Sequence, residues 1–86
     1  MIDWPTAYLA AQHHVASIPL PDGDQAVLVD ALTRTVEDGW IFTYQSKRHL
    51  EHGDRDAQLV GNRPFLVRRT DGSIVTAPDH VGGGGL

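Results

Sequence analysis

The stretch that decides the fold of this chain reads Asp38-Gly39-Trp40-Ile41-Phe42-Thr43-Tyr44-Gln45-Ser46. It begins with an Asp-Gly turn signal, after which Trp40, Phe42 and Tyr44 fall at every second position. That spacing is the side-chain period of a β-strand, so the three rings are predicted to share one face of one strand. Three large aromatic side chains on one face bury much apolar surface, and this strand is therefore predicted to be the centre of a small core.

An α-helix is predicted ahead of this strand, from residue 5 to about residue 16. Asp3 can cap the free amides at its start, and Pro5 is tolerated in a first turn. The segment is rich in alanine and has no internal glycine, which favours a helix. Its apolar stripe, predicted to pack against the sheet, consists of Tyr8, Ala11 and Val15.

Residues 25–37 fit two alternatives. A helix would use Leu28, Leu32 and Val36, which are spaced by four residues. A strand would instead align one face made of Val27, Val29, Ala31, Thr33 and Thr35. The enrichment in β-branched residues and the Asp-Gly turn that follows favour the strand, and the helix stays open as the alternative.

The second half of the chain predicts a short helix and a hairpin. Residues 46–52 are polar and are stopped by Gly53, which indicates one or two helical turns. Pro64 suits the start of a strand over residues 63–69. The pair Asp71-Gly72 is a hairpin signal, and residues 74–76 form the return strand.

These elements together predict an α+β fold. One N-terminal helix packs on an antiparallel sheet of about four strands, with a short helix in the middle connection. Residues 1–81 are expected to form a single domain. The glycine-rich residues 82–86 are expected to form a flexible C-terminal tail.

The composition restricts the class of function. The chain has 86 residues, no cysteine, and a net charge of −4 from 11 acidic and 7 basic residues. It therefore has no disulfide or thiolate metal site, and an acidic domain is a poor binder of nucleic acid. No signal peptide and no run of roughly 18 apolar residues is visible, so we expect a cytoplasmic protein that does not enter a membrane. The negative charge fits docking onto a basic protein; its other interpretation is that it keeps the domain soluble.

No catalytic residue, cofactor or metal site is predicted. His49 and His52 lie three residues apart with Asp54 nearby, but no third metal ligand is fixed by the spacing. There is no cysteine nucleophile and no Gly-x-Ser-x-Gly sequence. The paired carboxylates at 22/24 and 54/56 fall in predicted loops, where solvation by water is expected to keep the pKa of a carboxyl group in its ordinary range. An enzyme is therefore not expected.

A binding surface is predicted where acidic side chains gather beside an aromatic ring, which suits a basic partner. The candidate partner-binding residues are Glu37, Asp38, Tyr44, Glu51, Asp54 and Asp56. The alternative for each acidic residue is a solvated loop position with no partner.

Four short motifs, spread over residues 26–76, resemble the Immunity protein 35 family, which includes the YrhB-type proteins. They are a Gly-Trp-x-Phe-x-Tyr-Gln-Ser strand, a Gly-Asp turn, a Gly-Asn-x-Pro strand start and an Asp-Gly hairpin. The fold-defining residues of these motifs are Gly39, Trp40, Phe42, Tyr44, Gly61, Asn62, Pro64, Asp71 and Gly72, and the Gly-Asp turn is Gly53-Asp54. Since they look structural, the resemblance defines a fold and does not locate a binding surface.

The resemblance implies an immunity protein of a bacterial polymorphic-toxin system. Such a protein binds a cognate toxin domain, here implied to be a papain-like peptidase or deamidase, and blocks it by occlusion without catalysis. The alternative, suggested by the YrhB-type branch, is a small chaperone-like or general protein-interaction module.

Overall fold

The computed structural model describes residues 1–55, 58–59 and 63–76. Its helices are α1 (Trp4–Ala16) and α2 (Lys47–His52), and two 3₁₀ turns cover Pro21–Gly23 and Asp30–Leu32. The strands are β1 (Ala26–Leu28), β2 (Arg34–Val36), β3 (Gly39–Phe42), β4 (Tyr44–Ser46), β5 (Phe65–Arg68) and β6 (Ile74–Thr76). The predicted α+β class, the N-terminal helix and the short middle helix are confirmed.

The strands form two antiparallel sheets in the described part of the chain. The larger has the order β2-β3-β5-β6, and the smaller pairs β1 with β4. The expected number of about four strands therefore holds for the larger sheet, and a second small sheet is added to it. Residues 61 and 62 of the family motif and the predicted tail at 82–86 lie outside the described residues.

Helix α1 forms for the local reasons that its sequence predicts. The Asp3 carboxylate accepts a hydrogen bond from the Thr6 amide at 3.1 Å, which caps the helix. Its buried face consists of Ala7, Ala11 and Val15. The small alanines let the helix backbone come close to the sheet. Tyr8, predicted for the same stripe, is only partly buried.

The aromatic segment 39–46 does not form one strand, and that part of the prediction was wrong. Residues of β3 pair with β2 and β5, whereas β4 continues beyond Thr43 into the other sheet and pairs with β1. Trp40 and Phe42 therefore belong to the larger sheet and Tyr44 to the smaller one.

The break follows from residues 25–37, which are neither a continuous strand nor a helix. Leu28 pairs with Tyr44, and Arg34 pairs with Ile41. The chain therefore takes six residue steps from Leu28 to Arg34, opposite only three steps from Ile41 to Tyr44. The excess is taken up by the 3₁₀ turn Asp30–Leu32, which separates β1 from β2. The preferred strand prediction is right for the two ends of this segment and wrong for its middle.

The core lies between α1 and the larger sheet. Trp40, Phe42, Phe65 and Val67 meet the alanine face of the helix, and Phe42 is fully buried. The Phe42 and Phe65 rings stack with their centroids 5.7 Å apart. Alternate side chains of β3 and β5 supply this layer, as the two-residue period predicted.

Two predicted turns carry the motif residues into place. Gly39 begins β3 with φ +153°, and a Cβ at this position would lie 2.0 Å from the Val67 carbonyl oxygen. Only glycine fits this close approach of β3 and β5. In the predicted β5–β6 hairpin the Asp71 carboxylate accepts a hydrogen bond from the Ser73 amide at 2.9 Å.

Candidate partner-binding surface

The structure distributes the predicted acidic residues over two regions. Glu37 and Asp38 are exposed in the β2–β3 turn, where they line a depression with Arg68 and Arg69. Glu51 is exposed on α2, with its carboxylate 4.0 Å from the Lys47 ammonium. The two regions lie at opposite ends of the segment 39–46, since one precedes β3 and the other follows β4.

The other predicted contact residues are partly structural. Tyr44 is half-buried, and its ring lies 6.3 Å from that of Phe65. Asp54 is half-buried, and its carbonyl oxygen lies 3.2 Å from Nδ1 of His49. Asp56 lies outside the described residues. A partner contact at any of these positions stays a prediction.

Around α2, Asp24 organises a polar junction that ties a loop to the helix. Its carboxylate accepts hydrogen bonds from the Ser46 hydroxyl, from the Gln25 amide at 2.8 Å and from the Arg48 amide at 3.1 Å. The fully buried Ser46 in turn caps α2 by accepting from the His49 amide at 3.2 Å. The Ser46 hydrogen bond, supported by the two amides and the Arg48 charge, lowers the pKa of Asp24.

This junction predicts an acid-sensitive stability. A lowered folded-state pKa stabilises the protein above the ordinary carboxyl pKa of about 3.9, and the contribution is lost as the pH falls through the lowered value. We expect Asp24→Asn to lower the urea midpoint at about pH 7, with a smaller difference from the wild type at about pH 2. Asp22→Asn is the control, because it removes a carboxylate from the same loop and leaves Ser46 bonded. An equal loss for Asp24→Asn at both pH values would contradict the prediction.

Among the described residues, the histidine pair on α2 gains no further metal ligand. His52 lies 4.0 Å from the Glu51 carboxylate and His49 contacts Asp54. Within the described ranges, no group of three His, Asp or Glu side chains is placed to hold a metal ion.

The most distinctive surface feature is an aromatic cluster at the start of α1. The Trp4 ring stacks on Phe42 with centroids 5.7 Å apart and an interplanar angle of 19°. It also contacts Tyr8 at 5.5 Å and Trp40 at 6.1 Å. Trp4 nevertheless remains 43% exposed. The cluster therefore presents a large, partly exposed aromatic side chain that packs against three other rings.

Polar groups complete this cluster. The Tyr8 hydroxyl donates to the Asp30 carboxylate, with oxygen–oxygen distances of 2.9 and 3.2 Å. This hydrogen bond, together with partial desolvation and the negative charge of Asp30, raises the pKa of Tyr8. The Thr33 hydroxyl is buried and has no hydrogen-bond partner among the residues described. Trp4, Tyr8, Asp30 and Thr33 together line a cavity of about 270 Å³, which we call the Trp4 pocket.

A groove of about 330 Å³ between α1 and β1 adjoins this pocket, because Tyr8 lines both. The Gln25 carbonyl accepts a hydrogen bond from the Lys47 amide, and the Val29 amide donates one to the Thr43 carbonyl, so both groups point towards β4. Because successive residues of a strand direct their backbone N–H and C=O groups to opposite edges, those of Ala26 and Leu28 point towards the other edge of β1. That edge has no neighbouring strand in the described structure. Pocket and groove together form one surface, here called the α1–β1 surface.

This surface was not predicted from the sequence. One signal was present: Trp4 and Tyr8 are four residues apart, which places them on one face of a helix. The contribution of Asp30 and Thr33 could not be predicted from the sequence, because it is the 3₁₀ turn between β1 and β2 that places both residues beside the pocket.

Comparison with known proteins confirms the family resemblance indicated by the sequence motifs. The profile of the family described as Immunity protein 35 matches residues 5–82. The chain is also similar to the Uncharacterized protein YrhB of Escherichia coli (strain K12), with 32% identity over 74 residues, which cover 86% of this chain and 72% of that protein. No solved structure matched.

Among the described residues, neither α1 nor α2 has the length and the apolar composition of a membrane-spanning helix. The family match covers α1 from Pro5 onwards, both sheets and α2, and it begins one residue after Trp4. The chain therefore belongs to the Immunity protein 35 family.

Proposed function

We propose that this protein is the immunity protein of a bacterial polymorphic-toxin system and that it binds and blocks a cognate toxin domain in the cytoplasm. It acts by covering the toxin and not by catalysis. Membership of the Immunity protein 35 family supports the role. The observation that carries the proposal for this molecule is Trp4, which is exposed and stacked on Phe42.

Trp4 has the physical properties of a binding hot spot. Large aromatic side chains dominate the energetics of protein interfaces, above all when they are already held in place before binding. Trp4 is supported by Phe42, Tyr8 and Trp40, so little rotamer freedom remains to be lost on binding. The Ile2 amide also donates to the Arg69 carbonyl at 2.8 Å, which fixes the start of α1 beside the larger sheet.

The residues predicted from the sequence are proposed as further contacts in addition to this anchor. Exposed acidic side chains raise the rate of association with a basic partner but contribute less to affinity than buried anchors. The candidates are Glu37, Asp38, Tyr44, Glu51, Asp54 and Asp56. We further propose that the toxin is a papain-like peptidase or deamidase, as the family resemblance implies. Occlusion of such a toxin would abolish turnover of a small substrate in a stoichiometric titration.

The test is co-expression with the protein encoded by the adjacent upstream gene. We expect a stable complex and rescue from toxicity. Trp4→Ala should weaken the complex by about 2 kcal/mol or more, the usual size for a hot spot. Leu50→Ala is the matched control, because Leu50 is 48% exposed and lies on α2. Calorimetry measures both, and circular dichroism verifies that both variants fold.

Two results would contradict the proposal. The first is absence of both complex and rescue. The second is suppression of aggregation of unrelated client proteins with no need for any neighbouring toxin, which would favour the chaperone-like alternative. If the complex forms but Trp4→Ala and Leu50→Ala have equal effects, the immunity function stands and the α1–β1 surface is the wrong location.

A further inference from the structure

We propose that the Trp4 pocket binds one basic side chain of the partner, specifically the guanidinium group of an arginine. The inference rests on the proposed function, since it assumes that a protein partner docks on the α1–β1 surface. The inference specifies the chemical group that the partner must place in the Trp4 pocket.

The charge of the pocket is uncompensated. Asp30 is exposed, and the only hydrogen bonds its carboxylate accepts from described side chains come from the neutral Tyr8 hydroxyl. In the described ranges, no lysine, arginine or histidine lies within ion-pair distance of it. A partner that presents a cation would supply the missing charge, and charge-assisted hydrogen bonds are the strong ones.

The aromatic wall favours the same ligand. A guanidinium group is attracted to the face of an indole ring. The chain already uses this contact internally, where the Arg69 guanidinium lies 4.5 Å from the centre of the Trp40 ring. No such cation lies over Trp4 within the described structure, although Trp4 is the more exposed of the two tryptophans.

The carboxylate of Asp30 offers two acceptor oxygens to a guanidinium group. The Thr33 hydroxyl oxygen has no hydrogen-bond partner among the described residues, but it is buried and therefore not accessible to a ligand. A guanidinium group can donate two parallel N–H bonds to the exposed Asp30 carboxylate. The planar, multiply donating guanidinium can serve two acceptors at once, and for that reason arginine is preferred to lysine.

The size of the pocket restricts the ligand to one side chain. Its volume of about 270 Å³ lies just below the usual range of roughly 300–1,000 Å³ for small-molecule sites. The Trp4 pocket therefore fits a side chain presented by a protein better than a free cofactor.

The test uses a short peptide with one arginine, acetyl-Gly-Arg-Gly-amide, and its neutral isostere with citrulline. The chain has two tryptophans, so the indole N–H signal of Trp40 serves as an internal reference for that of Trp4 in NMR titrations. We expect the arginine peptide to shift the Trp4 signal saturably, with a dissociation constant on the order of millimolar, and the citrulline peptide to bind about tenfold more weakly.

Variants separate the pocket from general electrostatics. Asp30→Asn should weaken arginine-peptide binding about tenfold. Asp22→Asn makes the same chemical change in the 3₁₀ turn Pro21–Gly23, which does not line the Trp4 pocket, and should leave binding unchanged. The same two variants are then compared in the toxin complex, where Asp30→Asn alone should lower affinity. Unfolding midpoints confirm that each variant is folded.

Failure of this inference and failure of the proposed function give different results. Equal binding of the two peptides, an equal effect of Asp22→Asn, or a toxin complex insensitive to Asp30→Asn would overturn the arginine assignment while leaving the immunity function intact. Arginine-peptide binding that behaves as expected, with no toxin complex, would support the Trp4 pocket and contradict the immunity function.

Discussion

Replacing Gly39 by alanine is expected to destabilise the protein by about 3 kcal/mol or more, from backbone strain and overpacking together. Gly39 has φ +153°, a conformation that a residue with a Cβ rarely adopts. The added carbon would lie 2.0 Å from the Val67 carbonyl oxygen and 2.9 Å from the Arg69 amide nitrogen. Both atoms belong to the backbone, so no rotamer change relieves the clash, and β3 and β5 must separate.

The matched control is Gly23→Ala. Gly23 also has positive φ, at +73°, but no atom lies within 4 Å of its added Cβ. Only the backbone strain remains there, which costs about 1 kcal/mol. Urea unfolding of the three proteins measures the difference. Similar midpoints for the two variants would show that the close approach of β3 and β5 is not a constraint on the fold.

Truncation of Phe42 to alanine is expected to cost about 3–5 kcal/mol, the range for a buried phenylalanine. Phe42 is 0% exposed and stacks on both Trp4 and Phe65. A domain of this size is stable by roughly 4–13 kcal/mol, so the loss removes much of the stability. The variant also removes the support beneath Trp4, and partner binding should fall with it.

Denaturant midpoints and partner affinity are to be measured together for Phe42→Ala. Val75→Ala is the control, because Val75 lies on β6 with 39% exposure and its truncation should cost under about 1 kcal/mol. If Phe42→Ala were as stable as Val75→Ala, the stacked rings would not be the centre of the core. The distinction matters for the function, since loss of binding in an unfolded variant is no evidence of contact.

The features that could be predicted from sequence are those encoded within a few residues. The start of α1 follows from Asp3 and Pro5, and the β5–β6 turn follows from Asp71 and Gly72. The alternation of Trp40 and Phe42 correctly predicted the core face of β3. Each of these signals acts over one turn or one strand, and no distant residue is required.

What only the tertiary structure decided depends on contacts between distant residues. The 3₁₀ turn Asp30–Leu32 divides the aromatic segment between two sheets, because extra residues must be accommodated opposite Thr43. The same turn brings Asp30 to Tyr8, 22 positions earlier, and brings Thr33 to the wall of the Trp4 pocket. Local patterns cannot encode such a meeting. The sequence by itself determined the secondary structure around the core and the family, and the packing of α1 against that turn created the proposed binding site.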